Sequence, residues 1–451
     1  MPIYTTRIIS TILTFILTII SIYSPKPQAE IEIDTPVIAN TILPKAKSEV
    51  VSILQSDESI SMHLKHAADL YSQTRGDIKF SVRTVPGRSE YITALNAQAA
   101  AGNSADIFHI FGYNDITANQ PEDLSDLSWL HDTLPGTLDA VSLGQSLYGV
   151  PYAVNSFGLI INNDIFEAAG IYTIDTSSNE SLEEVFAKLH EKIGSGELSE
   201  DFPNLEAVTE FAANDKNWLG SITANLLLAG EFDSMQKIQT TKYINLEPAN
   251  HAKQFLRIMA LYSSCSKWSQ LNDVTQARQV EDGIASERVA VILQNTEIYK
   301  RICNANPELK NSLRLIPIPM PKREENLSDS SVIFTGVNAY WAVNSSSDKE
   351  KKNSAKKFLT WLYCSEDGTK IMAEKFGILS PYQKTATDTD IHMHRQLLRQ
   401  IDAGMTMPQL QNELSPQWLN QTAINMQNYL SLDIGWENLL QNLKEDWYAN
   451  S

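Results

Sequence analysis

From Tyr148 to Ile171 the chain reads YGVPYAVNSFGLIINNDIFEAAGI. A Gly-Val-Pro turn opens onto a continuous apolar run, Phe157 to Ile161, which stops at Asn162-Asn163-Asp164. A short amphipathic stretch then ends at Gly170. This pattern predicts a buried strand, a cap, and a helix closed by glycine. Upstream, Glu49–Leu54 reads as a first buried strand. From Ser59 onward, Leu64, Ala67, Ala68 and Tyr71 recur at spacings of three and four, which places them on one helix face, and Gly76 ends that helix. Ile78, Phe80 and Val82 alternate as a second strand. A helix from Tyr91 to Ala101 is stopped by Gly102, and Asp106–Phe111 is a third strand. Strands alternating with helices imply a mostly parallel sheet covered on both faces.

Downstream the pattern changes. Residues 181–300 read as mainly helical. Leu313–Met320, LRLIPIPM, is extended because its prolines forbid a helix. A charged loop covers 322–331, and Val332–Val343 is a strand pair or one bent strand. Ala355, Phe358, Leu359 and Leu362 mark one face of a further helix, and from Ile391 the chain reads as helical to its end. There are no internal repeats and no low-complexity tract.

Composition narrows the function. A chain of 451 residues with 43% hydrophobic and 20% charged residues buries a sizeable core, enough for two lobes. Its net charge of −18 argues against a nucleic-acid partner, since no excess of Lys and Arg exists to displace counterions from phosphate. At the N-terminus, Arg7 precedes an uncharged run from Ile8 to Ile22, and Pro25, Pro27, Gln28 and Ala29 follow. The run is shorter than the roughly 20 residues of a membrane span. Residues 1–29 are therefore expected to be a signal peptide, with an uncleaved anchor as the alternative. Residues 30–47 lack periodicity and read as a flexible extension. Of the three cysteines, Cys265 and Cys303 are the better candidates for one disulfide; otherwise all three are small buried side chains.

Four segments carry a resemblance: YITALNAQAAAGNSADIFHIFG, the stretch from Tyr148 to Ile171, the run from Phe334 to Gln383, and MPQLQNELSPQW ending at Trp418. Together they resemble the extracellular solute-binding proteins of ABC importers, in the sugar-binding branch that includes maltose-binding protein. The resemblance implies an α/β fold of two interleaved lobes with a hinge and an interlobe ligand cleft. Lobe 1 would comprise 48–154 and 341–385, and lobe 2 would comprise 155–340 and 386–451. It also implies a periplasmic or secreted monomer that binds a small solute, most simply a sugar, and meets an ABC transporter permease in the membrane. A sensor role, or a cationic solute such as an amino sugar or polyamine, is the alternative.

In α/β lobes, ligand groups sit on loops beyond the carboxyl ends of strands. That rule selects Gln55 after the first strand; Asp57 beside it reads equally as a helix cap. Arg88, after Pro86-Gly87, is placed to fork onto hydroxyls or a carboxylate, or to stay solvated. After the third strand, Gly112 allows close approach, Tyr113 offers a ring and Asn114 a hydroxyl partner, whereas His109 within the strand reads as a buried histidine. Asn155 interrupts an apolar run at the first crossover and needs a partner if buried. Trp218 either stacks on ligand or staples its helix to the lobe. The segment ERVAVILQNTEIYK resembles the family's strand and turn, but Asn295 is followed by Thr296 and Glu297 where an aromatic is usual. Glu297 would then grip hydroxyls or a cation, and Tyr299 would supply the ring. At the return crossover, Gly336 and Asn338 suit ligand contact, and Trp341 suits either contact or the hinge core. By resemblance Trp418 is the aromatic brought to the sugar.

No G-x-S-x-G, P-loop, G-x-G-x-x-G or H-E-x-x-H occurs, so neither catalysis nor a cofactor is expected. The pairs His63/His66 and His392/His394 read as surface residues rather than metal ligands.

Overall fold

The computed structural model describes residues 49–232, 234–321, 331–386 and 389–450. The expected signal peptide and extension, and nearly all of the charged loop, lie outside these residues.

The first α/β unit forms as its pattern predicts. Strand β1 (Glu49–Gln55) leads into helix α1 (Ser61–Arg75), whose buried residues are Leu64, Ala67, Ala68 and Tyr71. Gly76 closes it with φ 73°, a left-handed position that glycine takes without strain. Strand β2 (Ile78–Thr84), helix α2 (Arg88–Ala100), strand β3 (Ile107–Ile110) and the short helix α3 (Tyr113–Asn119) follow. β1 pairs in parallel with both β2 and β3. Asp106, buried at the foot of β3, accepts from Ser52 N and Ser52 Oγ (both 2.8 Å) and from Ser347 Oγ (2.6 Å), fixing β3 to its neighbours.

The chain then leaves through β4 (Val150–Pro151) into β5 (Val154–Asn162), all nine of whose residues are buried. Complete burial explains the unbroken apolar run: β5 is the middle of a second sheet. Asn162 accepts from Asp164 N (3.1 Å) and so caps helix α4 (Asn163–Ala168). Helix α5 (Asn179–Gly194), strand β6 (Ala207–Glu210), and helices α6 (Lys216–Leu227) and α7 (Ala249–Leu261) come next. β7 (Val289–Asn295), helix α8 (Tyr299–Ala305), β8 (Leu313–Ile316), β9 (Ile318–Pro319) and β10 (Ser331–Val337) continue the lobe.

β11 (Tyr340–Val343) crosses back and inserts between β3 and β4, and helix α9 (Lys349–Cys364) follows. A third passage follows Leu379, which bridges Val154. It leads to helix α10 (His392–Asp402), strand β12 (Thr406–Pro408), and helices α11 (Pro416–Leu430) and α12 (Trp436–Asn450). The first sheet therefore runs β2-β1-β3-β11-β4 and the second β9-β10-β5-β7-β6, with β8 paired to β5 and β12 to β10. The first lobe has its own apolar core, and two further clusters cover the second sheet.

Two features of the second lobe tighten its packing. A β-carbon at Gly220 would lie 2.2 Å from the Leu419 carbonyl oxygen, so α6 and α11 meet at that glycine. Glu210, fully buried, is held by Arg278 (3.0 Å) and Arg288 (2.6 Å). Among the described residues no helix is long and apolar enough to cross a membrane. All three cysteines are free, so Cys265 and Cys303 are not paired. His394, expected at the surface, is buried against Tyr299 and held neutral by desolvation, which pulls its pKa down to about 4.

Candidate functional site

Between the two sheets lies a cleft floored by the three passages. Val154 N donates to Leu379 O, and Tyr152 N donates to Ala339 O, both at 2.9 Å. The lobe 1 wall carries Asp57, His109 and Phe111, and the lobe 2 wall carries Thr296, Glu297 and Arg301. This cavity is about 1050 Å³. A second pocket of about 250 Å³ opens beside it and shares Gln276, Asn295 and Asn338 as a common wall. Nine of its fourteen lining residues carry a carboxamide, and Trp218 and Phe157 supply its rings. Its one charged lining residue, Asp215, is occupied in capping α6 and accepting from Gln276 Nε2 (2.8 Å).

Crossover residues join the two pockets. Thr296 Oγ1 donates to Asn155 Oδ1 (3.1 Å), Asn155 Nδ2 donates to Asn338 Oδ1 (3.2 Å), and Asn338 Nδ2 donates to Glu297 Oε1. Glu297 is exposed at the cleft wall, with protein from both lobes crowded around the cleft it faces. Desolvation first, and the Asp57 carboxylate across the cleft second, push its pKa up to about 7, against the Asn338 amide that pulls it down. Asp57 is itself fixed, accepting from Ser59 N (2.9 Å) and from the Tyr152 hydroxyl (3.0 Å). His109 packs 4.1 Å from the Trp341 ring with Nδ1 3.0 Å from Ser56 Oγ, and burial lowers its pKa to about 3, so it is a neutral imidazole. The larger cavity carries charges of both signs, Asp57, Glu58, Glu281, Glu297, Lys300 and Arg301, whereas the smaller one, with fixed amide donors and acceptors and rings at the side, suits recognition of a polar, uncharged group. Among the described residues no group of three or more His, Cys, Asp or Glu is placed to hold a metal.

The sequence pattern described as bacterial extracellular solute-binding protein matches residues 66–398. The chain belongs to this family. No curated protein matches it in sequence. Solved structures similar to this solute-binding protein share its fold at low identity. A sugar transporter protein from Bacillus licheniformis in complex with stachyose is 16% identical, with a TM-score of 0.64, covering 89% of this chain and 100% of that one. RafE in complex with raffinose is 16% identical with a TM-score of 0.65, covering 89% and 99%. Maltose-bound MalE3 of T. maritima is 15% identical with a TM-score of 0.66, covering 89% and 100%.

Of the residues selected from sequence, Asn155, Trp218, Asn295, Glu297 and Asn338 come together on the walls of the two pockets. Others serve the frame of the binding protein. Gln55 is fully buried and spends its side chain on Asp57 and Thr84, shaping the loop that presents Asp57. Gly336 gives room to Gln409, whose side chain would lie 3.0 Å from a β-carbon there. Arg88, Gly112 and Tyr113 face a lobe 2 segment across the seam. Asn114 is exposed on α3. Tyr299 is buried, its hydroxyl donating to Lys310 O (3.2 Å), so it does not replace the missing aromatic. Trp341 is core: it is 1% exposed, and its Nε1 donates to the Tyr363 hydroxyl (3.0 Å).

Trp418 requires the largest correction. It is 1% exposed on α11, lies edge-on to Trp447 at 5.2 Å, and donates from Nε1 to Leu443 O (3.0 Å). The segment before it, not the tryptophan, reaches the pocket: Gln409, Gln411 and Asn412 line it. Their density of amides in MPQLQNELSPQW was the available signal. Gln276 had none, standing in a stretch read simply as helical.

Proposed function

We propose that this solute-binding protein captures a neutral oligosaccharide in its interlobe cleft and delivers it to an ABC importer at the membrane. The observation that carries this reading is the amide-lined pocket. A carboxamide both donates and accepts without charge, which matches a sugar hydroxyl that also does both. Trp218 and Phe157, edge-on to each other at 6.2 Å, offer apolar surface for a ring face. The small pocket holds about 250 Å³ and opens beside about 1050 Å³, space for several rings rather than one. Three solved relatives in fold carry stachyose, raffinose and maltose, which supports the same class here. The protein acts as a monomeric binding protein outside the cytoplasm and not as a catalyst.

A thermal-shift series with stachyose, raffinose and maltose tests this. A ligand present at a hundredfold its Kd stabilises by about 2.7 kcal/mol. No shift with any of the three sugars, alongside a shift with a polyamine run in the same series, would sink the reading in favour of a cationic solute.

A further inference from the structure

The segment Gln409–Glu413, just after β12, touches the ligand pocket and the opposite lobe at once. On one side Gln409, Gln411 and Asn412 line the amide pocket. On the other, Arg88 at the start of α2 donates through Nη1 to Asn412 Oδ1 (3.0 Å) and through Nη2 to Asn412 O (3.1 Å). The Glu413 carboxylate is 3% exposed and accepts from Tyr113 N (3.3 Å), while its other oxygen has no partner. A β-carbon at Gly112 would fall 1.9 Å from Glu413 Oε1, so any side chain there evicts the carboxylate. Gly112 has φ 168°, an extended backbone open to every residue. It is glycine for space, not for conformation.

We propose that Gln409–Glu413 is a strap coupling occupancy of the amide pocket to lobe closure, with Arg88 and Glu413 as positioning residues and Gly112 as the seat. The strap moves as one piece because its amides are bonded in series. Gln411 Nε2 donates to Gln409 Oε1 (2.7 Å), Asn225 Nδ2 donates to Gln411 Oε1 (3.0 Å), and Leu410 N donates to Asn225 Oδ1 (2.8 Å). A ligand hydroxyl that replaces one of these bonds shifts the whole segment, and with it the fastening to lobe 1. A ligand changes a conformational balance only through contacts that differ between the two states, and the strap supplies them. The coupling rests on the cleft being the ligand site; the fastening itself does not.

The seat also makes closure sensitive to pH. Glu413 faces Arg88 on α2, Asp115 and the Tyr113 N–H on α3, and Tyr340 on β11, and Gln239 Nε2 donates to its carbonyl (2.8 Å). Burial raises the carboxyl to about 7 from its ordinary 4.5, against the Tyr113 N–H and Arg88 and with Asp115. Opening the lobes returns it to water. The fastened state therefore holds more protons. It is favoured most below 4.5 and loses ground as pH rises through about 7.

Small-angle scattering of the full-length chain without ligand, at pH 5 and pH 8, tests the strap, with thermal unfolding run in parallel. The parent should be more compact at pH 5 than at pH 8. Gly112→Ala and Arg88→Ala should both be expanded at pH 5 while still unfolding cooperatively near the parent temperature. Each removes a fastening whose loss shifts the open-to-closed ratio on the order of tenfold. Glu413→Gln, which mimics the neutral acid, should be as compact at pH 8 as the parent is at pH 5. Scattering from both expanded variants that coincides with the parent at both pH values overturns the proposal. Failure of raffinose to bind a parent that behaves as described would count against the sugar reading instead.

Discussion

Two tryptophans stand in different surroundings, Trp418 in the core and Trp218 at the pocket wall, and truncating each separates binding from folding. Trp418 is fully packed, edge-on to Trp447, with its indole N–H spent on Leu443 O. Trp418→Ala empties that space; the Leu443 carbonyl loses the indole donor but keeps its place in the bonding ladder of α12. A buried Trp→Ala change costs about 3–5 kcal/mol. For a lobe of this size each kcal/mol lowers Tm by roughly 2–4 °C. The expected drop is therefore on the order of 10 °C, with affinity for the identified sugar unchanged. Trp218 is half-buried at the pocket wall. Trp218→Ala should cost little stability but about 2 kcal/mol of binding, the range of an aromatic anchor, or roughly thirtyfold in Kd. Calorimetric titration with raffinose or stachyose and thermal unfolding on both variants decide the matter. If Trp418→Ala keeps its Tm but loses the sugar, the core placement is wrong. If Trp218→Ala binds as tightly as the parent, the pocket assignment falls.

Three further outcomes are expected. Glu297, raised to about 7, contributes stability that is full below its ordinary 4.5 and is lost as pH rises through about 7. Glu297→Gln should flatten the ligand-free Tm profile across that window, and an unchanged profile would show that the carboxyl is not desolvated. Gly220→Ala drives a methyl into the Leu419 carbonyl and should cost about 1–3 kcal/mol or more by overpacking, read by denaturant unfolding; a neutral result would mean that α6 and α11 do not meet there. Glu210→Ala leaves Arg278 and Arg288 without their shared carboxylate and should cost about 3 kcal/mol, towards the low end for a broken buried pair because both arginines keep some access to water. Equal stability of parent and variant would argue against the buried pair.

The elements that could be read from sequence are those whose burial is local and periodic. The face Leu64, Ala67, Ala68 and Tyr71, the alternation Ile78, Phe80 and Val82, and the run Phe157 to Ile161 each encode their own environment, and each lies where expected. β12 was missed because three residues, Thr406–Pro408, are strand only by pairing with β10, some seventy residues earlier. β6 was hidden among helices for the same reason: its partner is β7. In the site, Asn155 was legible because a polar residue interrupting an apolar strand needs a partner. Trp418 was misread because a large ring near the cleft segment satisfies the chemistry of stacking and of core packing equally well. Only the helix it stands on, packed against α12, decides between them.

The three passages also constrain how the chain acquires its shape. β11, from Tyr340 to Val343, sits between β3 and β4 in the first sheet, and β10, ending at Val337, pairs β5 in the second. The first sheet therefore cannot be completed until about three-quarters of the polypeptide has left the ribosome, and the second waits longer still, for β12. Pairings so distant along the chain are slow to form, because the closure entropy of the intervening loop must be met before any contact repays it. A nascent chain of this design stays unfinished for most of its synthesis. For a protein that works outside the cytoplasm, that delay is an asset, since a chain still lacking its central strands remains threadable through a translocation pore.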